Sequence, residues 1–183
     1  MLFRSLEEIA GRVAKLGWHV VVYFEGQDLP ELWDFFTCLP TVVVVDHMGR
    51  PDVSKPINGP EFTLFLKLMR EHPNIWTKVT CPERLTKSGS PPPLVMNNQQ
   101  QEQVAAAYTY TDVVPFARHL VEKFPDRVLW GTDWPHPNLK SHMPDDGLLV
   151  DFIPNIAPTV ELQHKLLVKN PKRLYWPESR EDY

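Results

Sequence analysis

Cysteine is almost missing from this sequence: two in 183 residues, Cys38 and Cys81. Two thiols cannot build the framework of bridges that staples small secreted domains, and neither sits in a Cys-x-x-Cys zinc pattern, so both are read as reduced thiols. Long apolar runs are missing too. Nothing approaches the ~20 residues that cross a bilayer. The first residues carry Glu7, Glu8, Arg12 and Lys15 where an export signal needs an apolar stretch. No membrane role and a cytoplasmic location are therefore expected. Nor is there a surplus of positive charge. The 19 Lys and Arg stand against 23 Asp and Glu, a net charge of −4, which leaves no basic face for nucleic acid.

What is present is enough apolar material for a core, 43% of the chain, and a recurring pattern. Short β-branched or aromatic runs end in polar residues four times: Trp18 to Glu25, Val42 to Val45 followed by Asp46-His47-Met48-Gly49-Arg50-Pro51, Ile75 to Val79 followed by Cys81-Pro82-Glu83-Arg84, and Val128 onward. Helical periodicity fills the intervals, over Ser5 to Leu16, Leu29 to Cys38, Gly59 to Glu71 and Thr111 to Lys123, with Phe62, Phe65, Leu66 and Met69 spaced by three and four. Strand and helix alternating in this way call for a parallel α/β sheet. One stretch breaks the pattern. Ser88 to Gln103 holds Pro91 to Pro93, Asn97, Asn98 and four glutamines, and is expected to be a mobile loop between a strand end and the next helix.

The densest chemistry lies in Val128 to Asn138, Val-Leu-Trp-Gly-Thr-Asp-Trp-Pro-His-Pro-Asn. In barrels of parallel strands the C-terminal strand ends face the active site, which makes Asp133 a candidate base and His136 and Asn138 candidate substrate contacts. An aspartate after a strand also serves as a turn or cap residue, because its carboxylate bonds nearby backbone N–H groups.

The phrases Val-Val-Asp-His-Met-Gly-Arg-Pro-Asp-Val, Lys-Val-Thr-Cys-Pro-Glu-Arg-Leu and Leu-Trp-Gly-Thr-Asp-Trp-Pro-His-Pro-Asn closely resemble the 2-pyrone-4,6-dicarboxylate hydrolases. These are lactonases of the amidohydrolase superfamily, active in protocatechuate 4,5-cleavage within lignin-derived aromatic degradation. The resemblance covers nearly the whole chain except Lys87 to Ala107, where the family has a shorter loop. It implies a truncated (βα) barrel of the TIM type, a single C-terminal half comprising the last four βα units, since a full barrel needs ~250 residues. The family's first-strand His-x-His motif and two carboxylate-binding arginines have no counterpart here, and Met1 to Ser5 departs from the family pattern.

The implied reaction opens a cyclic ester diacid to an open-chain tricarboxylate. It needs a base for water, donors for the developing oxyanion, and cations for the carboxylates. By resemblance Asp133 is the base. Arg84 and Arg50 are the carboxylate clamps, because a guanidinium meets a carboxylate with two parallel hydrogen bonds; Arg50 has a second reading as a loop salt bridge to Asp46 or Asp52. Tyr23, His47 and His136 supply hydrogen bonds to the pyrone oxygens, and Asn138 orients His136 or touches substrate. Many relatives hold zinc with the first-strand pair, two further histidines and the final aspartate. This chain carries Tyr23 where such a ligand would stand, so no required metal or other cofactor is expected. Two other readings stand beside this one: a zinc-dependent decarboxylase or sulfolactone hydrolase, and an inactive half barrel that acts only by association with a second copy or partner.

Overall fold

The structure is a computed structural model that describes residues 2–88, 110–139 and 143–176. The expected mobile loop lies almost wholly outside these residues, as does His142 of the loop after the last strand. The four apolar runs form strands, Val20–Val22 (β1), Val43–Val45 (β2), Ile75–Val79 (β3) and Val128–Trp130 (β4). β-Branched side chains are stiff at χ1 and suit a pleated, buried surface, which favours strand over helix in these runs. The helices are Leu2–Ala14 (α1), Leu29–Thr37 (α2), Pro60–Glu71 (α3), the short Pro82–Leu85 (α4) and Val114–Lys123 (α5). Pro30, Pro60, Pro82 and Pro115 each fall in the first two helical positions, where a missing N–H loses no intrahelical bond.

Beyond β4 the chain forms Asp146–Asp151 (α6), Ile153–Ile156 (α7), Val160–His164 (α8), a π-type turn at Lys165–Lys169, and Asn170–Tyr175 (α9). Two of these helices, α6 and α8, start on a side-chain cap. Asp145 accepts from the Gly147 and Leu148 amides, and Thr159 from that of Leu162.

All strand pairs are parallel and the sheet order is β1-β2-β3-β4, with Val21 beside Val44, Val44 beside Trp76 and Lys78 beside Leu129. Side chains alternate across this sheet. Val43, Val45, Ile75, Val79 and Val128 join the main core with Leu29, Phe36, Phe65, Leu68 and Leu120 from the helices. The opposite face carries Val44, Trp76 and Leu129, over which Leu174 packs. The two-residue period thus puts Val21 with Val44 on one face and sends Val43 and Val45 to the helices on the other. Trp176 is 62% exposed, while Trp76 is buried beneath the Arg173 guanidinium.

The segment ending in α9 is tied to β4 by Asn170, whose side-chain amide donates to the Pro125 and Val128 carbonyls. Among the described residues β1 pairs only with β2, so its outer edge is open. Because the sheet is sequential and parallel, Tyr23, His47, Cys81 and Asp133 all emerge along one edge.

Candidate active site

That edge is wound tightly. His47, Met48, Arg50, Cys81, Asp133 and His136 all have φ between 51 and 69, the left-handed region that costs a non-glycine residue ~1–2 kcal/mol. Such strain persists where surrounding structure over-determines the backbone, and it gathers at functional sites.

Asp133 stands at the centre. Its Oδ1 lies 3.8 Å from His47 Nε2 and its Oδ2 lies 3.6 Å from Arg84 Nη1. The side chain of Asp133 is 22% exposed, against 7% for His47 and 14% for Arg84, so the carboxylate faces the opening while its partners back it. His47 Nδ1 is 2.7 Å from the Thr80 hydroxyl. When that hydroxyl donates, the ring proton is held on Nε2, the nitrogen facing Asp133. Burial lowers the His47 pKa below 6.5, opposed by Asp133 and Asp46. The ring is therefore neutral near pH 7, a hydrogen-bond donor rather than a fixed cation.

Arg50 and Tyr23 form a second group. Arg50 Nε donates to Glu25 Oε2 at 2.9 Å, and the Tyr23 hydroxyl donates to Glu25 Oε1 at 2.6 Å. The Arg50 guanidinium sits 5.8 Å from the Tyr23 ring centre, and that ring meets His47 edge-on at 5.9 Å. Arg50 thus pairs with Glu25, not with Asp46 or Asp52. Asp46 is taken by Lys78 at 2.8 Å, and Asp52 by Ser54 and Lys55. Arg50 Nη1 is buried with no hydrogen-bond partner, a donor left unsatisfied. Arg50 and Arg84 line a cavity of about 170 Å³ together with Lys55 and Lys87. A larger cavity, about 420 Å³, opens along the other sheet face from Asp133 past Thr80, Lys78 and Asp46 to Tyr175.

The remaining two sequence candidates separate from this group. His136 is 2% exposed and its ring lies between Glu83 and Asp146. Asn138 is exposed in the following turn. Sequence reasoning missed Glu25, Thr80 and Glu83, all polar residues at strand ends whose partners are distant in the chain.

His47, Cys81 and Asp133 offer donor atoms within 4.8 Å of one another, the only set of that kind among the described residues. The fit to a metal is poor. The Cys81 thiol is buried and already directed at Glu83 Oε1 (3.4 Å) and Asp133 Oδ2 (3.5 Å), and the Arg84 guanidinium lies 3.6 Å from the same carboxylate oxygen, so a cation there would meet a positive charge.

The amidohydrolase family profile matches residues 2–176. The chain belongs to the amidohydrolase family. Among curated relatives of this amidohydrolase, 2-pyrone-4,6-dicarboxylate hydrolase of Comamonas testosteroni is 72% identical over 174 residues, covering 95% of this chain and 54% of the relative. A 4-sulfomuconolactone hydrolase of Rhizobium radiobacter is 35% identical over 171 residues, covering 92% and 51%. A solved apo structure from Agrobacterium tumefaciens superposes with a TM-score of 0.72 at 27% identity, covering 93% of this chain and 54% of that one. The chain spans about half the length of the curated relatives it matches.

Proposed function

We propose that this amidohydrolase chain carries the base, one histidine and two arginines of a lactone hydrolase that opens 2-pyrone-4,6-dicarboxylate, and that its sheet is the last four βα units of a barrel. The observation that carries the reading is Asp133 held within 3.6 and 3.8 Å of Arg84 and His47 at converging strand ends. The likeness to the Comamonas testosteroni hydrolase supports the substrate class. The same reading keeps the enzyme cytoplasmic, and no described helix is long and apolar enough to cross a membrane.

In this mechanism Asp133 accepts a proton from water as the water oxygen forms a bond to the lactone carbonyl carbon. His47 Nε2–H donates to the oxyanion that develops on the carbonyl oxygen. The ring C–O bond then breaks, the proton on Asp133 passes to the departing enol oxygen, and the product is an open-chain tricarboxylate in its enol form. Arg84 and Arg50 hold the carboxylates, with Glu25 fixing the angle of Arg50 and the Tyr23 hydroxyl. A guanidinium–carboxylate contact contributes roughly 1.5–3 kcal/mol, the scale on which each arginine holds the diacid.

The test follows loss of the pyrone's ultraviolet absorbance with purified chain, alone and mixed with the separately produced first half of the Comamonas testosteroni relative. The chain alone is expected to be at least ~100-fold slower than the complemented assembly, since each 1.4 kcal/mol of lost contact is tenfold. A complemented assembly that opens 4-sulfomuconolactone but not the pyrone would overturn the substrate assignment. Pyrone opening abolished by chelator and restored by zinc would overturn the metal-independent mechanism.

A further inference from the structure

Glu83 and His136 are the most deeply buried ionisable pair in the described structure, with side chains 2% and 1% exposed. Glu83 lies in the turn after β3 and His136 in the loop after β4, so the 3.7 Å approach of His136 Nδ1 to Glu83 Oε1 joins two strand ends. The other ring nitrogen reaches Asp146 Oδ1 at 3.3 Å, at the start of α6. The pair is costly: His136 Nδ1 and Glu83 Oε2 are buried without hydrogen-bond partners. A leucine would fill the same volume without a desolvation cost, so packing alone does not account for an imidazole here.

The main chain of the same residue closes on Asp133. The His136 amide donates to the Asp133 carbonyl at 2.8 Å, and the Leu139 amide donates to the His136 carbonyl at 3.1 Å. This closes a turn in which both Asp133 and His136 are left-handed. The Cys81 thiol completes the contact, 3.4 Å from Glu83 Oε1 and 3.5 Å from Asp133 Oδ2. Release of the His136 ring would free that turn, and the Asp133 carboxylate would lose its fixed station between Arg84 and His47.

We propose that Glu83 and His136 are positioning residues, a buried clasp between the ends of β3 and β4 that sets where the Asp133 carboxylate stands. The proposal rests on reading Asp133 as the base, and its test separates the two ideas. Amide hydrogen exchange is measured on the chain as Glu83→Ala, Glu83→Gln and His136→Gln variants. In Glu83→Ala the His136 and Leu139 amides are expected to exchange at least ~10-fold faster while the Val45 and Thr77 amides of the sheet hold their rates. Glu83→Gln, which keeps the shape and can donate to Nδ1, restores slow exchange.

Unchanged exchange at His136 and Leu139 in Glu83→Ala overturns the clasp. So does acceleration of every amide together, which would make the pair a general stabiliser only. If Glu83→Ala does not fold, His136→Gln decides, through the Leu139 amide against the same sheet amides. In the complemented assembly, Glu83→Ala is expected to lower kcat with KM within twofold, and Glu83→Gln to recover it. Local exchange behaving as stated with kcat unmoved would overturn the positioning role, whereas an Asp133→Asn variant that keeps its rate would remove Asp133 as the base whatever the exchange shows.

Discussion

Replacing Asp133 with asparagine removes one negative charge and little volume, and the structure sets what that costs. At 3.6 Å the attraction to Arg84 is ~1 kcal/mol in water and ~5 kcal/mol at an effective dielectric of 20. With Asp133 at 22% and Arg84 at 14% exposure, and a separation longer than a good charge-assisted bond, the low end of that span applies, ~1–2 kcal/mol. Asparagine tolerates the left-handed backbone at φ 69 at least as well as aspartate, so no strain is added. For a chain of this size ~1 kcal/mol shifts the melting temperature by ~2–4 °C, so Asp133→Asn should melt ~2–8 °C lower. Turnover in the complemented assembly should fall ~10²–10⁴-fold, the usual scale for a lost general base, while binding of the diacid changes little. Calorimetry and a pyrone absorbance assay measure the two effects. A variant that melts unchanged and keeps more than a tenth of the wild-type rate would refute both the ion pair and the role of Asp133.

Arg84→Met should mainly weaken binding of the diacid, raising KM more than it lowers kcat, because a clamp acts in ground and transition states alike; equal loss in both constants would contradict it. Gly49→Ala should cost ~2 kcal/mol, seen as a melting temperature ~4–8 °C lower: at φ 66 a Cβ would stand 3.1 Å from the Phe65 ring, and an unchanged melt would show that the turn relaxes. The His47 pKa is lowered by burial, so the unfolded chain binds a proton first as pH falls below 6.5. Stability is then lost from pH 6.5 downward to the folded value, and His47→Gln should flatten that part of a denaturation-versus-pH curve; an unaltered slope would mean the imidazole is not buried neutral. The open edge of β1 and the exposed Trp18, Val21 and Tyr23 should make the isolated chain associate with a second copy, visible as concentration-dependent mass in light scattering. A sharp 21.2 kDa monomer at all concentrations would show the edge to be self-sufficient.

Much of this architecture was legible in short valine runs and in three- and four-residue spacing, because those patterns record local preferences. The strands proved shorter than the apolar runs suggested: Trp18 to Glu25 yields only Val20–Val22. Asp133, His47 and Arg84 were legible as a group, since polar residues after parallel strands must meet at one edge. Their supports were not. Arg50 and Glu25 are 25 positions apart, and Glu83 and His136 are 53 apart, so each pairing depends on sheet register rather than on neighbourhood. The left-handed backbones of Cys81 and His47 were hidden too, since neither residue type announces a positive φ as glycine does.

The unbroken strand order has a consequence for how this chain comes to be folded. Each strand docks on the one before it, so no element waits for a later one to be threaded between its neighbours. Assembly can follow the direction of synthesis, every new strand and helix adding to a surface already formed, with loop closures spanning one βα unit at a time. A sheet built this way is divisible at a boundary between units, and these four units own a core of their own. The same property makes runs of such units suitable for recombination, each bringing its own strand-end chemistry to a common edge.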